Sequence, residues 1–369
     1  MSNTFITIKN IARQTLPRLV ENLVMPELVW SDFNDTFSDL GDTIQIKKPV
    51  ELEAKDFTIG GSVTDQDIVE SSVDVKLDKI ATVDVSINAL EAAVNWSEEK
   101  FRKEFIEPAA VALAQKINAA GIAEYVNIPN LLGTAGTTPS AMTDFSAARK
   151  FLNKAKAPMT DRYAVWDVDA DAKFTELSNL FKVNEAGLNE TLRQGQIGSI
   201  YGLQNFMTQA IEGHSLAGAG TVLIDGGNSK GDTTIHVDGV TTALAAGDMF
   251  TIAGDTTKYT VVSGGELSST DQDLVICPAL QKNAADNAAL TLVSTKTVNN
   301  LIFHKTAIAF VTRPLHAPEA VPAYTTSDGK YSLRVVKAYD RATKTEKLSM
   351  DVLYAYKVIN PALAARYLG

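Results

Sequence analysis

The feature that most constrains this chain is a change of texture in its middle. From about Gly218 to Val293 the composition shifts to glycine, threonine and aspartate, and the segments TTIHVDGV, DMFTIAG, KYTVVSG, DLVICPAL and ALTLVS follow one another. Turns such as Gly226-Gly227, Gly254-Asp255 and Gly264-Gly265 separate them. Several short strands at such spacing predict a small β-barrel or sandwich. The flanks share a different texture, with GQIGSIYGLQNFMTQAI before and NNLIFHKTAIAFVTRPL after. Residues 218–293 therefore read as an insertion, and the flanks near Ile211 and Asn300 must complete one domain in space. Between residues 216 and 297, nine acidic and four basic side chains leave −5, half of the chain's net −10.

At 369 residues the chain exceeds one comfortable core, so two or more packed units are expected. The longest element is a helix over Leu90–Asn127. In it Phe101, Phe105, Ala109, Ala112, Leu113, Ile117 and Ala120 recur at spacings of three and four and form an apolar stripe. Pro108 lacks the amide that the Glu104 carbonyl would use, which imposes a kink or two consecutive helices. Ahead of it, TIKNIARQTLPRLVENLV keeps helical spacing with Pro17 as a break. This is an amphipathic arm that packs on its own domain or docks on a neighbouring subunit. From Asp42 to Ile87 the period becomes two, so TIQIK, SVDVKLD and TVDVSI read as antiparallel strands. The stretch PVELEAKDFTIGGSVTDQDIVESS between them reads as a projecting loop that something outside the monomer must order. Further on, DFSAARKFLNKAKA is a helix stopped by Pro158 and RYAVWDV a short buried strand. YSLRVVKAYD and KLSMDVLYAYKVI are strands joined by the hairpin RATKTE.

Chemistry-bearing motifs are scarce. The run Asp167-Val-Asp169-Ala-Asp171 has the alternate carboxylates of a calcium loop, but Ala172 replaces the turn glycine and Ser178 the bidentate glutamate. A helix N-cap fits it better. Gly213-His214-Ser215-Leu216-Ala217 approximates a nucleophile elbow, yet no helix follows, and His236, His304 and His316 lack an acid partner in sequence. The single cysteine, Cys277, sits in an apolar strand and reads as a core thiol in a reducing compartment. The N-terminus shows no secretion signal, and no run of about 18 apolar residues is present. The net charge of −10 argues against gripping nucleic acid through its phosphates.

The order of these pieces resembles the major capsid (coat) protein of tailed bacteriophages, in the short-tailed-phage branch whose coat carries an inserted β-domain. The segments that carry the resemblance are TLPRLVENLVMPELVWSDFNDTF, GDTIQIKKP, VKLDKIATVDVSI, EPAAVALAQKINAA, QGQIGSIYGLQNFMTQA, LIFHKTAIAFVTRPL and YDRATKTEKLSMDVLYAYKVINPALAARYL. The resemblance implies an α+β capsid fold with an N-terminal arm at 1–41 and an extended loop at 42–87. It implies a peripheral domain at 88–129 and 326–369 with the long helix as spine, an axial domain at 130–217 and 294–325, and an inserted barrel-like β-domain at 218–293. It further implies a non-catalytic protein, without cofactor or membrane contact, that assembles in the host cytoplasm into the pentamers and hexamers of an icosahedral virion shell. Scaffolding and portal proteins are the implied partners, with weak, non-specific contact to packaged double-stranded DNA. Intersubunit contacts are expected at Leu16, Leu19 and Leu23 in the arm and at Lys47, Lys48, Asp56 and Phe57 in the loop, with Pro108 as a hinge in the spine. Nothing in Lys47, Lys48 or Lys55 singles out a crosslinking lysine. The alternatives are the shell protein of a bacterial encapsulating compartment with the same fold and a hydrolase using Ser215.

Overall fold

A computed structural model describes residues 8–31, 43–47, 72–88, 102–181, 197–215, 220–318, 321–328, 330–343 and 345–369. The chain divides into two compact units, the first comprising Met1–Asn22, Ser31–Ala114 and Ala309–Asn360, the second Leu23–Trp30, Gln115–Ile308 and Pro361–Gly369.

In the first unit a five-stranded sheet is built on the long strand Thr345–Val358. One antiparallel neighbour is Ser332–Asp340, reached through a tight hairpin, and the other is Lys79–Asn88, paired from Asn88 opposite Thr345 to Lys79 opposite Tyr354. Ala323–Ser327 continues the sheet beyond Ser332–Asp340, and Ile308–Arg313 lies beside Thr345–Val358. The helix Ile8–Asn22 packs on Ala323–Ser327 and Ser332–Asp340 through Ile11, Ala12, Leu16 and Leu19, all buried. It runs through Pro17 without the break expected there. Arg13, whose carbonyl loses its amide partner to the proline, and Pro17 itself are both exposed, so water can serve that carbonyl. Thr43–Lys47 and Ser72–Lys76 form a separate two-stranded antiparallel ribbon, with Ile44 opposite Val75 and Ile46 opposite Val73. The expected loop between them, with Lys48, Lys55, Asp56 and Phe57, lies outside the described residues.

Of the long helix, the described part begins with a π-helical turn, Arg102–Ile106, continues as the α-helix Glu107–Ala123 and ends in a 3₁₀ turn, Glu124–Asn127. Pro108 falls where the π-helical turn passes into the α-helix, so its missing amide lies at a change of hydrogen-bond register and not inside a regular α-helical ladder. The buried stripe is Ile106, Ala109, Ala110, Leu113, Ala114, Ile117 and Asn118, while Ala112 is exposed. Asn118 is the polar member: its Oδ1 accepts the amides of Val24 and Met25 at 3.0 and 3.1 Å and so closes the start of the short helix Met25–Leu28.

The second unit is organised on a six-stranded mixed sheet in the order Leu131–Gly133, Ala364–Leu368, Asn299–His304, Arg162–Trp166, Leu203–Met207, Ser199–Ile200. Alternation gives it two faces. On one, Ala164, Trp166, Ile302 and Tyr367 pack under the helices Met142–Lys154 and Val168–Thr175. The Trp166 ring meets Phe174 edge-on at 4.9 Å and Phe145 at 5.7 Å. On the other, the directly opposed residues Val165, Leu301 and Arg366 point the opposite way. Met142–Lys154 ends before Pro158 is reached: Lys156 turns left-handed (φ 55°), and the Ala157 amide returns to the Leu152 carbonyl at 3.0 Å.

Two boundaries expected from sequence fall elsewhere. Ala364–Leu368, assigned with 326–369 to the spine's domain, instead pairs with Asn299–Phe303 in this second sheet. Ile308–Arg313, assigned with 294–325 to the other domain, lies beside Thr345–Val358 in the first. Both strands are buried on both faces, so their pattern suits either sheet and hides which one they join.

Candidate functional site

The strands at 223–292 run Leu290–Leu292, Met249–Ile252, Tyr259–Gly264, Gln272–Cys277, Thr234–Asp238, Leu223–Ile224 across one sheet. The ends of that order meet, since Leu223 bridges Ala289, the Leu290 amide donates to the Val222 carbonyl at 2.9 Å and the Ile224 amide to that of Ala288 at 3.0 Å. The sheet is thus a nearly closed barrel, a form that leaves little strand edge exposed. Its own core includes Val222, Ile235, Val237, Phe250, Tyr259, Val261, Leu274 and Ile276. The chain leaves for the barrel and returns from it side by side, His214 and Thr297 exchanging two backbone hydrogen bonds of 2.8 Å each.

Beside this neck lies a polar cluster that sequence reasoning missed. Arg366, at the centre of Ala364–Leu368, is fully buried and donates from Nη2 to Thr260 Oγ1 at 2.5 Å. Its guanidinium lies 5.7 Å from the Tyr125 ring centroid, within cation–π range, while Nε and Nη1 have no hydrogen-bond partner among the described residues. Burial lowers the guanidinium to about 10, opposed by the Cys277 thiol and the Tyr125 phenol. Burial in turn raises both the Cys277 thiol and the Tyr125 hydroxyl. Alongside, Asp248 is buried and takes His214 Nε2 at 2.6 Å and the Ala245 amide at 2.8 Å. Gly247 (φ +101°) leaves room for the Tyr125 hydroxyl and the His214 ring, space a Cβ would fill. The one available signal was Arg366 itself, a charge inside the apolar run LAARYL.

Of the residues singled out from sequence, the described ones sit on separate elements. Leu16, Leu19 and Leu23 are each buried by their own chain, leaving the exposed residues of that helix, such as Arg18 and Glu21, to meet any neighbour. Lys47 ends the ribbon strand Thr43–Lys47, and Pro108 is exposed. Ser215 is exposed beside His214, but the His214 Nε2 is engaged with Asp248. Asp167 caps the helix Val168–Thr175, accepting the Asp169 and Ala170 amides at 3.2 and 3.3 Å. No cluster of three or more His, Cys, Asp or Glu side chains suited to a metal occurs among the described residues. No helix among them is long and apolar enough to cross a membrane.

No family model and no curated protein sequence matches the chain. Solved structures do. That of Mycobacterium phage Che8 is similar over 94% of this chain and 90% of its own, at 15% sequence identity and a TM-score of 0.56. The capsid structure of the cyanophage P-SCSP1u is similar over 89% and 83%, at 12% identity and a TM-score of 0.49. The mature capsid of bacteriophage PhiM1 is similar over 88% and 81%, at 10% identity and a TM-score of 0.48. The Mycobacterium phage Che8 likeness spans nearly the whole of both chains, and the fold of this chain is the tailed-phage capsid fold, with a small β-barrel carried on a two-stranded neck.

Proposed function

We infer that this chain is a major capsid protein whose copies assemble into the shell of a tailed phage. The observation that carries the reading is the likeness in fold to the Mycobacterium phage Che8 chain over 94% of this chain, too extensive for one shared motif. The ribbon adds physical support. A two-stranded ribbon is marginal by itself in water, and Thr43–Lys47 with Ser72–Lys76 makes a sheet of its own. In a shell, the stretch between those strands lies over a neighbouring subunit, with Lys47, Lys48, Asp56 and Phe57 at that contact. Closed shells are built from repeated heterologous contacts, which suit projecting elements of this kind. The role is structural rather than catalytic. The net charge of −10 suits a lining that holds double-stranded DNA without gripping it. Pentamers and hexamers of an icosahedral shell, scaffolding and portal partners, and assembly in the host cytoplasm complete the reading, with Pro108 as the place where the spine bends. Negative-stain electron microscopy of the purified chain, alone and co-expressed with the genes beside its own, tests it. Closed particles of uniform size support it; amorphous aggregate or free subunits in every combination would refute it.

A further inference from the structure

We propose that Arg366 is the orientation lock of the β-barrel: a buried cation on the central sheet that grips the barrel's outer wall and fixes the direction in which it projects. Three observations converge on this. First, the barrel hangs on a neck of two paired segments, and the His214–Thr297 pair alone cannot set a direction, since a two-stranded ribbon twists and bends readily. Second, among the described residues the barrel's core and the core under Trp166 are separate clusters. Third, what does join them is polar and specific. Thr260 and Cys277 are directly opposed on adjacent barrel strands and therefore share one face. Their neighbours Tyr259, Val261 and Ile276 point into the barrel core, which puts Thr260 and Cys277 on its outer wall. Arg366 reaches that wall at Thr260 Oγ1, 2.5 Å away, with Tyr125 under its guanidinium. Gly247 and Asp248 of the barrel lie against Tyr125 and His214 at the same place.

The bonds Arg366 leaves unmade matter as much. Among the described residues Nε and Nη1 are buried without partners, and a buried cation without a carboxylate is a poor source of stability. Its position is better explained by geometry than by stability: it is long enough to cross from sheet to barrel and planar enough to hold one angle. The docked state is consequently specific but shallow, and loss of the grip should free the barrel without unfolding it.

Hydrogen–deuterium exchange on the full-length, unassembled subunit tests this without requiring a shell. The variants are Arg366→Met, which keeps the stem and removes the grip, and Thr260→Val, which removes only the acceptor. Both should speed exchange at the neck amides of His214 and Thr297 at least about tenfold, the factor that corresponds to losing one charge-assisted hydrogen bond. Protection along Thr234–Asp238 and Gln272–Cys277 should stay within about threefold of the parent chain. Unchanged neck protection in both variants would overturn the proposal. Loss of barrel protection together with the neck, or failure of both variants to fold, would overturn it equally, because Arg366 would then be a core residue of the fold rather than a lock on its arrangement.

Discussion

Truncating Leu19 decides whether the N-terminal helix belongs to its own subunit. The side chain is wholly buried at the centre of the stripe Ile11, Ala12, Leu16, Leu19, against the strands Ala323–Ser327 and Ser332–Asp340. A sheet floor cannot collapse into the space left behind, so Leu19→Ala should carry both the transfer and the cavity penalty, about 2.7–5.0 kcal/mol for such sites. At about 3.5 kcal/mol the folded-to-unfolded ratio of the unassembled subunit falls roughly 300-fold. At about 2–4 °C per kcal/mol for a unit of 150–250 residues, the unfolding midpoint drops by roughly 7–14 °C. Urea and thermal unfolding followed by circular dichroism read both numbers. Arg18→Ala is the control: Arg18 is half exposed in an ion pair with Glu21 at 2.9 Å, and its loss should leave the unfolding midpoint essentially unchanged. A Leu19→Ala subunit that unfolds within about 1 kcal/mol of the parent, yet no longer assembles, would refute the reasoning and return Leu19 to an intersubunit contact.

Two further outcomes follow from the barrel. Asp273 accepts from His236 Nδ1 at 2.6 Å, and this bond raises the imidazole above its ordinary 6.5. A raised pKa in the folded state stabilises below the unfolded value and fades as pH climbs through the folded one, so the barrel should weaken slightly as pH rises above 6.5. An NMR titration should find His236 above 6.5, and Asp273→Asn should bring it down; an unshifted His236 in the parent chain would contradict the geometry. Gly247→Ala places a Cβ at φ +101° against the Tyr125 hydroxyl, so it should cost more than about 1 kcal/mol. Adding Tyr125→Phe should recover part of that in a thermal melt; no recovery would mean that the hydroxyl is not the obstacle.

Much of this architecture could be read from residues. Alternation in TTIHVDGV and DLVICPAL marks strands whose two faces differ, and period-two patterns survive any tertiary context that buries one face. The apolar stripe of the spine was legible for the same reason, although on a helix this rich in alanine the choice between Ala112 and Ala110 is set by packing and not by polarity. Pro17 misled because a proline's cost depends on where its missing amide falls, here on a solvent-facing turn, whereas at Pro108 a π-helical turn does pass into a second, α-helical segment. Partner choice was less legible. LAARYL and IAFVTR are buried on both faces and carry no record of which sheet they enter. The Arg366 cluster draws on Tyr125, His214, Asp248 and Thr260, residues far apart in the chain with no motif in common.

The central claim is that copies of this chain build a shell, and cryo-electron microscopy of its assembled product tests that most directly. The reading predicts a closed shell into whose every subunit position the present fold fits, with the Thr43–Lys47 and Ser72–Lys76 ribbon resting on an adjacent copy. A chain that remains at its subunit mass of 39.7 kDa by mass photometry under all assembly conditions, with and without neighbouring gene products, would contradict it.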